Sequence, residues 1–411
     1  MKIAIVGTGI AGNVAAYLLA DEHEVTVFEQ NDYVGGHTNT LRVSAPDGDH
    51  DVDTGFIVFN REHYPNFVKL LNRLGVESSA SQMSFSVKVE GNGLEYSNRS
   101  LLAQRRNVLR PRFWRMVAEI VRFNKSSRKL LLDADDGVLL GDFLEDHDYS
   151  RDFIENFLYP MGAAIWSADP RCMREFPARF FAQFFTNHRF LDVLGQPEWR
   201  VIRGGSKKYV EKLTAGFRDR IRTSAKVTSI RRAGDVVFVT SQGSATESFD
   251  EVVIAAHGDQ ALAMLEDPTP DEREILGSFR FQENVAQLHT DTRVLPRRRR
   301  AWACWNSYVP RRPTGRVTLT YDMSLLQNLR CRDEYLVTLN RSEEVDPNRV
   351  LRTIRYHHPV FSRAALRAQK RHAVVSGRNR THFCGAYWGF GFHEDGVTSA
   401  LAVARHFGKV L

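Results

Sequence analysis

The chain has 411 residues, too many for one simple core, so two domains around a large buried interior are expected. Hydrophobic residues make up 43% and charged residues 26%, an ordinary globular balance, and no apolar run reaches the roughly 18 residues of a membrane span. The formal net charge of +7 favours anionic partners without choosing among nucleic acid, phospholipid and acidic metabolite. The four scattered cysteines form no CxxC pair, which argues against a zinc site or a disulfide framework.

Ile3 to Val6 is a short apolar run suited to a buried parallel strand. GTGIAG follows, with Gly7, Gly9 and Gly12 in GxGxxG spacing, and Ile10 and Ala11 open a helix that AAYLLA continues. HEVTVFE then rises as a second strand and ends in Glu29. Strand, glycine turn, helix, strand and acid, in that order, predict a dinucleotide site. The glycines permit a tight turn and close backbone approach to a pyrophosphate, and the helix N-terminus offers unpaired N–H groups. Glu29 would accept ribose hydroxyls and repel a 2′-phosphate, which argues against NADP. Lys2 runs directly into this unit with no leader pattern, so the expected location is a reducing cytoplasm.

Five residues after Glu29 comes Gly35-Gly36-His37-Thr38. This continuation resembles the flavin amine oxidase superfamily, in which the paired glycines let the chain pass close to the pyrophosphate and ribityl of FAD. The implied cofactor is therefore FAD, held noncovalently, since neither His37 nor Cys384 gives a clear attachment. The resemblance places Gly55, Phe56 and Ile57, within Asp51 to Asn60, beside the isoalloxazine; the bare pattern is also that of an alternating half-buried strand. Val201 to Phe217 resembles the glycine turn and helix where such chains return to the FAD domain. RIRTSAKVTSIRR reads as a strand through Val227, a residue that the resemblance sets against the adenine. Phe249 to Leu262 reads as a buried strand with a turn at Ala255-Ala256-His257. From His382 a strand-like HFCGA leads through an aromatic, glycine-rich loop to a helix expected near Asp395-Gly396. In the superfamily that helix aims its positive end at the flavin, which makes Gly385, Glu394, Asp395, Gly396 and Val397 the implied flavin neighbours.

The expected fold class is α/β: a Rossmann-like FAD-binding domain joined to a mixed-sheet plus helical substrate domain. The FAD-binding domain would be discontinuous, over residues 1–75, 200–265 and 378–411. The substrate domain would take 76–199 and 266–377. No internal repeat occurs, and Ser241 to Ser248 fits a hairpin.

Residues 105–129 carry nine basic side chains against one acid, Glu119, with Phe113, Met116, Val117, Ile120 and Phe123 at helical spacing. Two readings stand: a solvated helix covering the core, or a basic amphipathic helix in peripheral contact with the inner face of a membrane. Arg297 to Arg300 reads as a solvated turn. No nucleic-acid motif is present, so no nucleic-acid partner is expected. Phe281 to Asn306, Tyr356 to Phe361 and GAYWGFGFHEDG resemble one bacterial branch of the superfamily, described as NAD/FAD-binding or amine-oxidase-like. They also resemble the oxidase-like N-terminal region of plant cyclopropane fatty acid synthases. That likeness implies a small-molecule or lipid substrate and, by association, a lipid-modifying methyltransferase partner.

The lysine that true amine oxidases place near the flavin has no counterpart here; Gln287 and His289 occupy the stretch where it would be sought. Trp302, Trp305, Tyr387 and Trp388 are candidate ring walls. No histidine grouping has metal-ligand spacing, so no metal is expected. The catalytic candidates are His393, with Glu394 as its partner, and His289. The expected reaction is hydride transfer between a substrate C–H bond and flavin N5, on a modified or unsaturated fatty acyl chain. Amine oxidation and a flavin-bound accessory role are the alternatives.

Overall fold

The computed structural model describes residues 1–131, 137–187 and 197–411. Lys2–Val6 is the central strand of a five-stranded sheet. The order is Ile221–Arg222, Glu24–Phe28, Lys2–Val6, Glu251–Ile254, Thr381–Phe383, and every pair is parallel. Strands covered on both faces have no polar side to show, so they read as unbroken apolar runs. Ile3, Ala4, Ile5, Val252, Val253 and Ile254 are all fully buried. The helix Ile10–Leu19 covers this sheet and packs on the helix His393–His406. Missing side chains set both approaches. A Cβ on Gly12 would meet the Gly7 carbonyl oxygen at 1.9 Å, and one on Gly396 would meet Ile10 Cγ2 at 2.6 Å.

A second, seven-stranded sheet is mixed. Its order is Val350–Val360, Arg280–His289, Leu336–Leu339, Leu319–Asp322, Trp305–Val309, Phe85–Val89, Leu94–Ser97. Only Trp305–Val309 and Phe85–Val89 pair in parallel. Pro111–Leu130, Tyr159–Trp166 and Ala178–Asn187 bring helices onto a phenylalanine-rich core. Phe123, fully buried, meets the rings of Phe143, Phe153 and Phe181 at 6.2, 5.7 and 6.3 Å. Aromatic burial of this density stabilises the core behind the wide sheet.

A buried clasp ties the early chain to the point where it returns. Asp53 Oδ1 accepts hydrogen bonds from Thr40 Oγ1 at 2.5 Å, Ser206 N at 2.8 Å and Ser206 Oγ at 2.7 Å. Gly205, at φ +87°, leaves room for it, because a Cβ there would meet Thr40 Cγ2 at 2.5 Å.

Three elements differ from the sequence reading. The final helix begins at His393, not near Asp395, because the Asp395 carboxylate accepts the Phe392 N–H at 2.9 Å and caps it. The strand expected through Val227 is two strands. Ile221–Arg222 belongs to the parallel sheet, and Val227–Ala233 opens a separate antiparallel sheet with Val236–Ser241 and Glu247–Phe249. The strand within Asp51 to Asn60 stops at Asp53. There Thr54 N turns to Asn39 O and Phe56 N to His37 O, both at the second glycine segment.

Asp322 gives a pH test of the core. Its Oδ1 accepts the Leu325 N–H at 3.0 Å, its Oδ2 has no partner among the described residues, and burial lifts the carboxyl to about 7. The folded chain therefore holds this proton more tightly than the unfolded chain. The stabilisation is complete below the unfolded pKa of about 3.9 and is lost as pH rises through the folded value, at about 1.4 kcal/mol per unit. Asp322→Asn should shrink the fall in unfolding free energy between about pH 4 and pH 8, read from urea melts.

Candidate functional site

A cavity of about 900 Å³ opens between the two sheets, toward the upper end of the range for small-molecule sites. Gly7, Thr8, Gly9, Ile10 and Ala11 line one end. The first N–H groups of a helix have no intrahelical partner, so this turn presents donors to the cavity. Gly9 faces open space, with nothing within 4 Å of an added Cβ. Gly36, at φ +59°, runs so close that its Cβ would stand 3.1 Å from Gly9 Cα. Gly35, Gly36 and His37 continue the wall.

Glu29 lies at the same end, 4% exposed. Its Oε2 accepts from Thr8 N at 2.9 Å and from the Thr8 hydroxyl. Its Oε1 accepts from Asn31 N and Asn31 Nδ2, both at 2.9 Å. All four lone-pair sites are thus filled by the chain, and a ribose hydroxyl must displace the Thr8 hydroxyl or the Asn31 amide. Lys226, Val227 and Ala256 also line the cavity, in a segment tied to Glu29 by the bond from Ala225 N to Glu29 O at 2.8 Å.

Gly55, Phe56, Ile57, Gly385 and His393 line the middle of the cavity. His37 stacks on Tyr356 at 4.9 Å and meets His358 edge-on at 5.1 Å. His257 stacks on Phe281 at 4.1 Å. Burial first, then neighbouring imidazoles, lowers His37 and His257 to about 4 and holds His358 well below the usual histidine range. These rings are neutral at pH 7. His37 Nε2 and Trp305 Nε1 are buried with no partner among the described residues, although both residues line the cavity. Orphaned polar atoms around a space of this size fit a polar planar ligand that would satisfy them.

His393 lines the cavity, but its Nε2 is engaged by Thr38 Oγ1 and by Tyr209 OH, both at 3.0 Å, and its ring stacks on Phe56 at 3.5 Å. Burial keeps it well below the usual histidine range. It bridges the second glycine segment to the last helix. Glu394 does not line the cavity. Its carboxylate accepts from Asn66 N at 3.1 Å, Asn66 Nδ2 at 2.7 Å and Phe67 N at 2.9 Å, which caps the helix Pro65–Arg73. His289 is also remote. It is fully buried, its Nδ1 accepts the Asp291 N–H at 3.0 Å, and its Nε2 therefore donates to Thr338 Oγ1 at 2.7 Å. Neither Glu394 nor His289 is placed to act on a substrate.

Gly12, Thr38, Asp395, Gly396 and Val397 stand behind the wall. Gly12 and Gly396 permit close packing, Thr38 and Asp395 hold hydrogen bonds, and Val397 is core. Trp305 and Tyr387 line the cavity as candidate rings, whereas Trp302 and Trp388 do not. Sequence reasoning missed Ile165, Trp166, Phe184 and Tyr321, which line the remaining end. They sit in ordinary apolar stretches with no motif to mark them.

A family model described as flavin containing amine oxidoreductase matches residues 10–406. The chain superposes on cyclohexylamine oxidase from Brevibacterium oxydans IH-35A with a TM-score of 0.69 and 17% identity, covering 99% of both chains. A fatty acid isomerase from P. acnes that produces CLA gives the same TM-score and identity over 98% of both chains. At these identities the likeness is one of fold. A 4,4′-diapophytoene desaturase of Staphylococcus aureus is 51% identical over 43 residues, which are 10% of this chain and 9% of that enzyme.

Gly9→Ala separates cofactor binding from folding. Its φ of −63° suits alanine and its Cβ would enter only the cavity. The variant should melt like the wild-type apoprotein yet bind FAD about tenfold more weakly or worse, near 1.4 kcal/mol, by fluorescence titration. Glu394→Gln should cost about 1 kcal/mol of stability through the lost cap while leaving reduction of bound flavin unchanged in rapid-mixing absorbance.

Proposed function

The chain belongs to the family of flavin-containing amine oxidoreductases and is an FAD-dependent oxidoreductase; from that premise we propose that it moves a hydride between a C–H bond of a modified or unsaturated fatty acyl chain and flavin N5. The observation that carries this reading is the chemistry of the cavity end away from Glu29. Ile165, Trp166, Phe184, Trp305, Tyr321 and Phe392 line it. The charged groups among the described lining residues are Glu29, Lys226 and Arg355. Arg355 is engaged by Glu283 at 2.9 Å, and Lys226 adjoins Val227 on the nucleotide wall. A hydrocarbon chain is stabilised in such a lining at about 25 cal/mol per Å² of apolar surface buried.

When bound, FAD supplies the two-electron chemistry that side chains lack. The residues do the rest. Gly7, Gly9, Gly35 and Gly36 allow the backbone to reach a pyrophosphate, with the N–H groups of Ile10 and Ala11 as donors. Glu29 would exchange an internal partner for a ribose hydroxyl, and Val227 would meet the adenine. Gly55, Phe56, Ile57 and Gly385 would line the ring, and the helix starting at His393 would offer it a positive end. Asp395, Gly396 and Val397 support that end from behind. The aromatic end excludes water and aligns the reacting bond. The nearby imidazoles are neutral, which suits a transfer that needs no strong base. Cys384 is fully buried and its thiol is pushed up to about 12, so it offers no thiolate for attachment, in keeping with noncovalent FAD. The fatty acid isomerase that shares this fold bears the name of such a substrate, and the desaturase name belongs to a reaction on another unsaturated hydrocarbon.

Amine oxidation is the second reading, favoured by the rings of Trp166, Trp305, Tyr321 and Tyr356, which can face a cation. An accessory role beside a lipid-modifying methyltransferase is the third. An anaerobic absorption spectrum of the FAD-loaded protein separates them. Bleaching of the oxidised flavin by bacterial lipid extract, and not by primary amines, is expected. Bleaching by amines alone would transfer the assignment to amine oxidation. A flavin that neither lipid nor amine reduces, and that reduced lipid-free electron donors do reduce, would favour the accessory role.

A further inference from the structure

A second cavity, of about 1200 Å³, shares no lining residue with the first. Nine cationic side chains line it against three carboxylates, Glu90, Glu95 and Glu344. Those acids are largely spent elsewhere. Glu95 accepts the backbone N–H groups of Arg297 and Arg298, both at 3.1 Å. Glu90 accepts the backbone N–H of Arg311 at 2.8 Å, and Glu344 chelates Arg341. The guanidinium groups of Arg105, Arg297, Arg298 and Arg300 have no carboxylate partner among the described residues. Lys88, half-buried beneath them, donates to Leu295 O at 3.2 Å. Glu95 also folds the rim, since it holds the Arg297–Arg298 turn, and the nine cationic side chains outnumber the three carboxylates.

The segment that supplies Arg105 and Arg106 also carries an unusual set of exposed apolar side chains. Leu102, Val108 and Trp114 are 43%, 49% and 43% exposed, and Leu109 is 84% exposed. Single exposed apolar residues are ordinary; four within thirteen residues beside a cationic basin are not. A free soluble anion has no use for them, and a nucleic acid would need an open stacking face. Tyr308, the aromatic residue in the basin, is covered by the Arg341 guanidinium at 3.9 Å.

We propose that this basin and its apolar rim dock the protein on an anionic phospholipid bilayer, with headgroup phosphates in the arginine basin and Leu109 and Trp114 in the interface. Charge draws the protein to the surface and the apolar side chains anchor it, the two-part logic of peripheral membrane binding. The RRRR run and the Arg105–Arg106 turn thus form one surface. No helix among the described residues is long and apolar enough to cross a membrane, so the contact is peripheral.

The test is co-sedimentation of the FAD-loaded protein with vesicles of phosphatidylglycerol and phosphatidylcholine, against phosphatidylcholine alone. The two variants are a combined Arg297→Glu, Arg298→Glu, Arg300→Glu protein and Leu109→Asp. Thermal melting and bound-flavin absorbance check their folding. Binding to the anionic vesicles is expected, weakened about tenfold or more by the arginine changes, severalfold by Leu109→Asp, and by raised salt. Three results would overturn the proposal. They are equal or no sedimentation with both vesicle types, loss with the arginine variant but none with Leu109→Asp, and tighter binding to a single-stranded RNA than to the vesicles.

Discussion

The contact between Gly36 and Gly9 is the constraint on which the rest of the site depends. Two turns from different parts of the opening unit pass so closely that Gly36 has little room for a side chain, whereas a Cβ on Gly9 would enter the cavity. Given that contact, the second glycine segment must run beside the helix Ile10–Leu19. Thr38 then reaches Tyr209 and His393, and the return turn at Gly205 locks onto Asp53. The cavity wall is the sum of these buried contacts.

The opening unit was legible because its physics is local. A parallel strand, a glycine turn and a helix N-terminus are adjacent in sequence, so spacing alone exposes them, and Glu29 marks the second strand's end. The second glycine cluster and the aromatic loop before His393 carried the likeness that placed Gly55 and Gly385 on the cavity. Glu394 and His289 show where that reasoning stops. An acid beside a cofactor-facing histidine looks catalytic in sequence, but helical geometry turns its side chain to Asn66 and Phe67 instead. Nothing near His289 in sequence reveals that Thr338, on the neighbouring strand, will accept its hydrogen bond.

The apolar end of the cavity was illegible for a related reason. Trp166, Phe184 and Tyr321 come from two helices and one strand. Each is an ordinary core residue in its own segment, and only the packing of helices on the wide sheet brings them together. Burial also does chemical work in the cavity, because it strips His37, His257 and His358 of charge and leaves no imidazolium among the three. The unneutralised arginines Arg105, Arg297, Arg298 and Arg300 lie in a separate basin.

The parallel sheet joins strands that begin at residues 2 and 381, and the helix His393–His406 packs on Ile10–Leu19. Contacts of such long sequence separation form late and slowly, since loop closure must precede the packing that rewards it. During synthesis the opening strand, turn and helix would leave the ribosome with their partners still unmade. The part of the cavity wall that Gly385 and His393 supply is therefore completed only after that late segment has been made and has packed on the opening unit.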